Sequence, residues 1–291
     1  MWPLISWQQV WQESPAAKPS IKAGTLRCTP NGSLWRYVQA NAAIAKGDVL
    51  MKHTNDGMVA ALDTDVTTAQ TAAGLRRVTA AGLFTAANLK GGWFLGGTDY
   101  AGKGHDYILW VDAGACQGQG GYIYNQDSAS SNYVDVYCWT GVTNPGAFDT
   151  LLSVVADITV FTDTLVVKTT AAANRIPVGV AQKAVTADCF FWSLIKGRGI
   201  VHWDTSPGTT LATDDMEIQN SPDEAGAATG MTATQTTIER SVVVGRGLTL
   251  DIDADGYMPI DVDVLRNISP QNTILVSGLS ASLDYEWPYG L

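Results

Sequence analysis

Residues 176–203, IPVGVAQKAVTADCFFWSLIKGRGIVHW, leave the chain few folds to choose from. Ile176, Val178 and Val180 alternate with Pro177, Gly179 and Ala181, the period of a short strand, with Pro177 near its start where a missing N–H matters least. Residues 183–188 are small and polar and read as a turn. From Cys189 to Ile195 large apolar side chains fall on both pleat faces, so this strand belongs between two layers. The KGRG at 196–199 can supply positive φ for a tight turn, after which Ile200, Val201, His202 and Trp203 would start a new strand. The stretch predicts a core and holds no chemical constellation.

The rest of the chain repeats this texture. Residues 34–40 alternate as a strand after the turn signal Pro30-Asn31-Gly32, and Val49, Leu50 and Met51 form another after Gly47-Asp48. Asn55-Asp56-Gly57 marks a hairpin, and the Ala- and Thr-rich residues 63–82 suit either a short helix or a loop. Residues 91–148 are dense in glycine and aromatics, with strand-like bursts at 107–111, 121–124 and 133–139, which suggests an inserted β subdomain. Residues 148–167 are apolar and β-branched, although Leu151, Leu152, Val154 and Val155 can open a short helix. Residues 205–230 read as long surface loops around a strand near 216–218, and order returns at 241–244. Leu248, Leu250 and Ile252, then Ile260, Val262 and Val264, flank Ala254-Asp255-Gly256 and predict a hairpin with one buried and one acidic face. The fold class expected is mainly β: a β-barrel or β-sandwich core at 34–90 and 149–270, an insertion at 91–148, an extended arm at 1–33 and a tail at 271–291.

Composition supports sheets, with 29 glycines, ten Trp, ten Tyr and only 16 % charged residues. A net charge of −10, with 18 scattered Lys and Arg, argues against direct nucleic-acid binding and leaves a basic partner easier to accommodate. Four cysteines, Cys28, Cys116, Cys138 and Cys189, are far apart and contain no CxxC pair, so they read as isolated thiols. The first residues lack the charged and apolar regions of a signal peptide, and no run of ~18 apolar residues is present, so a soluble protein made in the cytoplasm is expected. Trp2, Trp7 and Trp11 sit on the arm, where large aromatics require a surface to cover them. That surface is either the chain's own domain or a neighbouring subunit.

Three patterns resemble chemical sites without completing them. Gly97, Gly102 and Lys103 have phosphate-loop spacing, but Gly104 stands where Ser or Thr would hold magnesium. Asp251, Asp253, Asp255 and Gly256 match the opening of a calcium loop, but Val262 replaces the closing Glu and the flanks read as strands. With Asp261 and Asp263 they form an acidic face that is solvated, bridged by a divalent ion or met by a basic protein. His53, His105 and His202 lie in no metal or nucleophile signature, and no catalytic residue, cofactor or metal is expected. A carboxylate pair for glycan cleavage can hide in any β fold, but Glu is scarce and Asp clusters at turns.

Four segments carry a resemblance: RYVQANAAIAKGDVL at 36–50, VGVAQ at 178–182, FFWSLIKGRG at 190–199 and VVVGRGL at 242–248. Together they resemble virion structural proteins of tailed bacteriophages, in particular the small β-barrels of capsid decoration, or cement, proteins. The resemblance spans about half the chain; the insertion at 91–148 and the aromatic arm depart from it. It implies a non-enzymatic protein on the outer capsid surface, a homo-oligomer (a trimer before a dimer) that bridges major capsid subunits and stabilises the shell. It involves no membrane. The alternative is a tail-associated or receptor-binding phage protein that recognises host surface glycans.

Overall fold

The computed structural model describes residues 3–14, 21–53, 60–63, 67–72, 75–79, 84, 106–114, 120–126, 133–138, 156–162, 164–171, 177–204, 217–230, 243–248 and 256–264. Among them the fold is mainly β, as the alternation predicts, with seventeen strands and one short helix. The first sheet contains β1 (Leu26–Cys28), β2 (Leu34–Ala40), β3 (Val49–Lys52), β11 (Leu165–Lys168), β12 (Pro177–Val180), β13 (Phe190–His202), β14 (Glu217–Asn220), β15 (Ala228–Gly230), β16 (Val243–Gly247) and β17 (Tyr257–Asp263). Strands β2, β11, β3, β12 and β13 close on themselves as a five-stranded barrel, because β13 pairs back onto β2. Closure leaves these five strands without an open edge between them.

Strand β13 organises the barrel. Its residues 190–195 are buried on both faces, as the apolar run predicts. Phe190, Trp192 and Leu194 join Trp35, Tyr37, Val49 and Val180 in the larger core cluster. Phe191 points the other way, into a smaller cluster to which all five barrel strands contribute through Val38, Ala40, Val166, Leu50 and Val178. The turn expected at 196–199 is absent, and β13 runs unbroken to His202. The KGRG glycines serve a bulge instead: the register with β2 shifts between Leu194 and Lys196, and Gly197 takes φ +115°. One half of the strand thereby closes the barrel on β2 while the other, from Lys196 to His202, pairs with β17.

The two halves of the barrel repeat one another. Residues 40–49 and 181–190 share the same succession of bends, bridge, turn and strand entry. They meet around a local two-fold, with Ile44 N–H donating to Val185 O (3.1 Å) and Val185 N–H to Ile44 O (2.9 Å). Gly47 N–H donates to Ala181 O at 2.7 Å, and Asp188 N–H to Ala40 O at 2.8 Å. Gly47 and Asp188, at equivalent places, both have positive φ, 82° and 68°.

The second sheet lies, in sequence, between β3 and β11. It comprises β4 (Ala60–Asp63), β5 (Thr67–Ala72), β6 (Leu75–Thr79), β7 (Ile108–Gly114), β8 (Gly120–Gln126), β9 (Tyr133–Cys138) and β10 (Ala156–Phe161), in the order β4-β10-β7-β8-β9-β6-β5. It extends beyond the 91–148 stretch on both sides. Residues 67–72 and 75–79, expected as a helix or loop, pair as antiparallel strands, since β6 completes its ladder on β9. The helix start considered near Leu151 lies outside the described residues, as does the hairpin signal at 55–57. One face of this sheet buries Val78, Leu109, Ile123, Val134, Val136, Ile158 and Val160.

Residues 217–230, expected as surface loop around one strand, hold two strands and are largely buried. Their apolar residues Ile218 and Ala228 complete the larger core cluster, so the polar composition of this segment does not place it on the surface.

Candidate functional site

The described part of the arm, residues 3–14, packs on its own chain. Ser6 caps α1 (Trp7–Val10) through a reciprocal capping box with Gln9. Ile5 and Val10 turn inward to the core; Ile5 N–H donates to Cys28 O on β1 (2.9 Å), and further along Ser14 and Phe190 of the barrel strand β13 exchange two bonds of 2.8 Å. Lys183 Nζ donates to Trp11 O (3.1 Å), and Glu13 accepts from Thr186 N–H (3.3 Å), so the second of the two repeated turns holds the arm. Trp7 and Trp11, four residues apart, remain 45 % and 49 % exposed. The arm thus packs on its own barrel and still offers two indoles outward. Trp2 lies outside the described residues.

Asp251, Asp253 and Asp255 also lie outside the described residues. Asp261 and Asp263 sit on the solvent side of β17, whose burial alternates as the sequence predicts. Their cross-strand neighbours are cations. Asp261 is opposite Arg198 on β13 and Arg246 on β16, and Asp263 is opposite Lys196. Arg246 in turn faces Glu217 on β14, so this surface alternates in sign across four strands. The phosphate-loop-like residues 97–104 and His105 fall outside the described residues. Among those described, no three His, Cys, Asp or Glu side chains are arranged to hold a metal ion, and no helix is long and apolar enough to cross a membrane.

A cleft of about 390 Å³, lined as much by apolar as by polar surface, opens where the first barrel turn meets β13 and the 221–226 turn; its charged and titratable lining residues are Asp48, Lys168, His202 and Glu224. Ser221, buried behind the cleft, anchors the 221–226 turn: its hydroxyl donates to buried Asp204 and accepts from the N–H groups of Asp223 and Glu224, each at 3.0 Å. That anchor sets the Glu224 carboxylate 3.7 Å from His202 Nε2. In the same first barrel turn, Lys46 Nζ lies 4.6 Å from the centre of the Tyr257 ring. Asp48 is buried and accepts from Ala45 N–H at 2.8 Å. Burial pushes its carboxyl up from the ordinary value of 3.8; the Ala45 bond, Lys168 and His202 oppose this, and Glu224 adds to it. Neither Lys168 nor Glu224 stands out in the sequence, because the four groups come from four separated segments. Only the Gly47-Asp48 turn signals one of them.

The raised Asp48 value has a sign that can be measured. The folded chain holds this proton more tightly than the unfolded chain, so the stabilisation is fully present below about pH 3.8 and is lost as pH rises through the folded value. Asp48→Asn removes that dependence. Urea unfolding from about pH 3 to about pH 7 is expected to show the variant gaining stability relative to the parent as pH rises. Parallel curves would contradict the assignment.

Compared with protein-family models, curated proteins and solved structures, the chain matches none.

Proposed function

We propose that this protein is a non-enzymatic virion structural protein of a tailed bacteriophage. As a homo-oligomer it binds the outer surface of the capsid and stabilises the shell by bridging major capsid subunits. The observation that carries this reading is the fastened arm. Its backbone is tied to the barrel, so Trp7 and Trp11 are offered in one fixed arrangement and little ordering remains for binding to cost. Tryptophan is the residue type most often found at the energetic centre of protein interfaces. Of the four segments that resemble phage cement proteins, 36–50, 178–182 and 190–199 contribute the first of the repeated turns and parts of β2, β3, β12 and β13 to the barrel, and 242–248 contains β16 in the same sheet. A charge of −10 favours a basic docking surface, and many modest contacts repeated over a shell add up.

Trp7→Ala/Trp11→Ala separates docking from folding. Mixed with purified capsids that lack the chain, the parent is expected to co-sediment to saturation and raise the temperature at which the shell ruptures. The double variant should lose about 30-fold in affinity, corresponding to about 2 kcal/mol, with an unchanged circular dichroism spectrum. Equal binding by parent and variant would remove the arm from the interface.

A further inference from the structure

The face of the second sheet opposite its buried valines carries a group of tyrosines that the capsid reading does not use. Tyr122 on β8 and Tyr137 on β9 are direct register partners, 49 % and 56 % exposed. The two strands approach closely here: a Cβ on Gly121 would lie 2.3 Å from Tyr137 O, so only glycine permits the spacing. Beyond Ile123 the register shifts, and the bulge turns two successive residues outward, Tyr124 (53 % exposed) and Asn125. Bulges are common where a strand re-aims side chains beside a binding site. Three exposed rings and an amide therefore occupy one patch of two adjacent strands.

The charge of this patch indicates the chemistry of its ligand. Arg77 on β6 grips Asp135 with two bonds, Nε to Oδ1 at 2.8 Å and Nη2 to Oδ2 at 3.0 Å, and its guanidinium lies 3.7 Å from the centre of the Tyr133 ring. Asn125 Nδ2 donates to the same carboxylate at 3.3 Å. The one cation and one anion described here thus neutralise each other, whereas the chain as a whole is strongly acidic. Among the described side chains of this face, a basic protein surface or a nucleic-acid backbone finds no matching unpaired charge. Tyrosine offers two kinds of contact at once: its ring a flat apolar face and its hydroxyl a hydrogen bond. A neutral sugar presents the complementary pair, a C–H face and a rim of hydroxyls.

We infer that the outer face of β8 and β9, through Tyr122, Tyr124, Tyr137 and Asn125, is a binding platform for uncharged carbohydrate. This inference is independent of the capsid reading. It is tested with the whole chain by electrophoresis through native gels containing dextran, galactomannan or amylopectin, with alginate as the acidic comparison. Retardation by at least one neutral polysaccharide is expected. Tyr122→Ala/Tyr137→Ala should weaken it at least about tenfold, and Tyr137→Phe, which keeps the ring, should weaken it less. Matching thermal unfolding curves confirm that the variants are folded; Tyr124→Ala, which changes only an exposed bulge residue, provides a second reading if the double variant melts early. Passage of the parent through all three neutral gels, retardation by alginate alone, or retardation unchanged in the tyrosine variants would overturn the inference. So would tyrosine-dependent self-association in sedimentation, which would make the face a subunit interface.

Discussion

Trp192→Ala is expected to lower the unfolding free energy by about 3–5 kcal/mol, the range for emptying a large aromatic site in a packed core. Trp192 is buried near the start of the strand that closes the barrel, directly opposite Tyr37, with ring centres 5.0 Å apart. Tyr37 in turn stacks on Phe190 at 5.7 Å. Removing the indole takes away apolar burial and leaves a void beside the Tyr37 and Phe190 rings, which cannot both shift inward while β13 stays paired with β2. Urea titration gives the value. A loss below about 1 kcal/mol would mean that the site collapses freely and that the aromatic stack does not hold the barrel closed. The variant should also fail to bind capsids in proportion to its unfolded fraction, unlike the arm variants, which stay folded.

The second large effect is expected at Gly47. Its φ of +82° costs an ordinary residue about 1–2 kcal/mol. A Cβ there would also lie 2.6 Å from the backbone nitrogen of His202 and 3.0 Å from the Tyr257 ring. The backbone cannot retreat, because His202 N–H donates to Gly47 O at 2.9 Å. Gly47→Ala should therefore cost about 2–4 kcal/mol in total, combining left-handed strain with overpacking. The repeat supplies a control. Asp188 occupies the equivalent turn with positive φ, which Asp tolerates better than most residues, so Asp188→Gly should stay within about 1 kcal/mol of the parent. Similar losses in both variants would show that the two turns are not mechanically distinct.

How much of this was legible depends on how local its cause is. Strand β2 was readable from end to end, and so was the two-sided burial of β13, because each follows from side-chain period alone. The KGRG segment misled because glycines at positive φ suit a reversal and a bulge equally; the choice was made by β2 and β17, far away in sequence. For the same reason residues 67–79 showed no decisive period: β6 is fixed by its ladder to β9, about 60 residues on. The repeat of 40–49 in 181–190 is almost hidden, since backbone bonds rather than shared side chains define it. Of the candidate surfaces, the arm was visible through its tryptophans. The cleft was not, because Asp48, Lys168, His202 and Glu224 become neighbours only once the barrel has closed. The cations opposite Asp261 and Asp263 were equally hidden, because register depends on partners that alternation does not name.

The most direct test of the proposed role is a three-dimensional image of the intact particle, compared with one of particles assembled without this chain. The account predicts difference density on the outer face of the capsid, spanning neighbouring major capsid subunits, with the barrel fitting and the arm carrying Trp7 and Trp11 turned towards the shell. Difference density confined to the tail, or none on the particle at all, would contradict it.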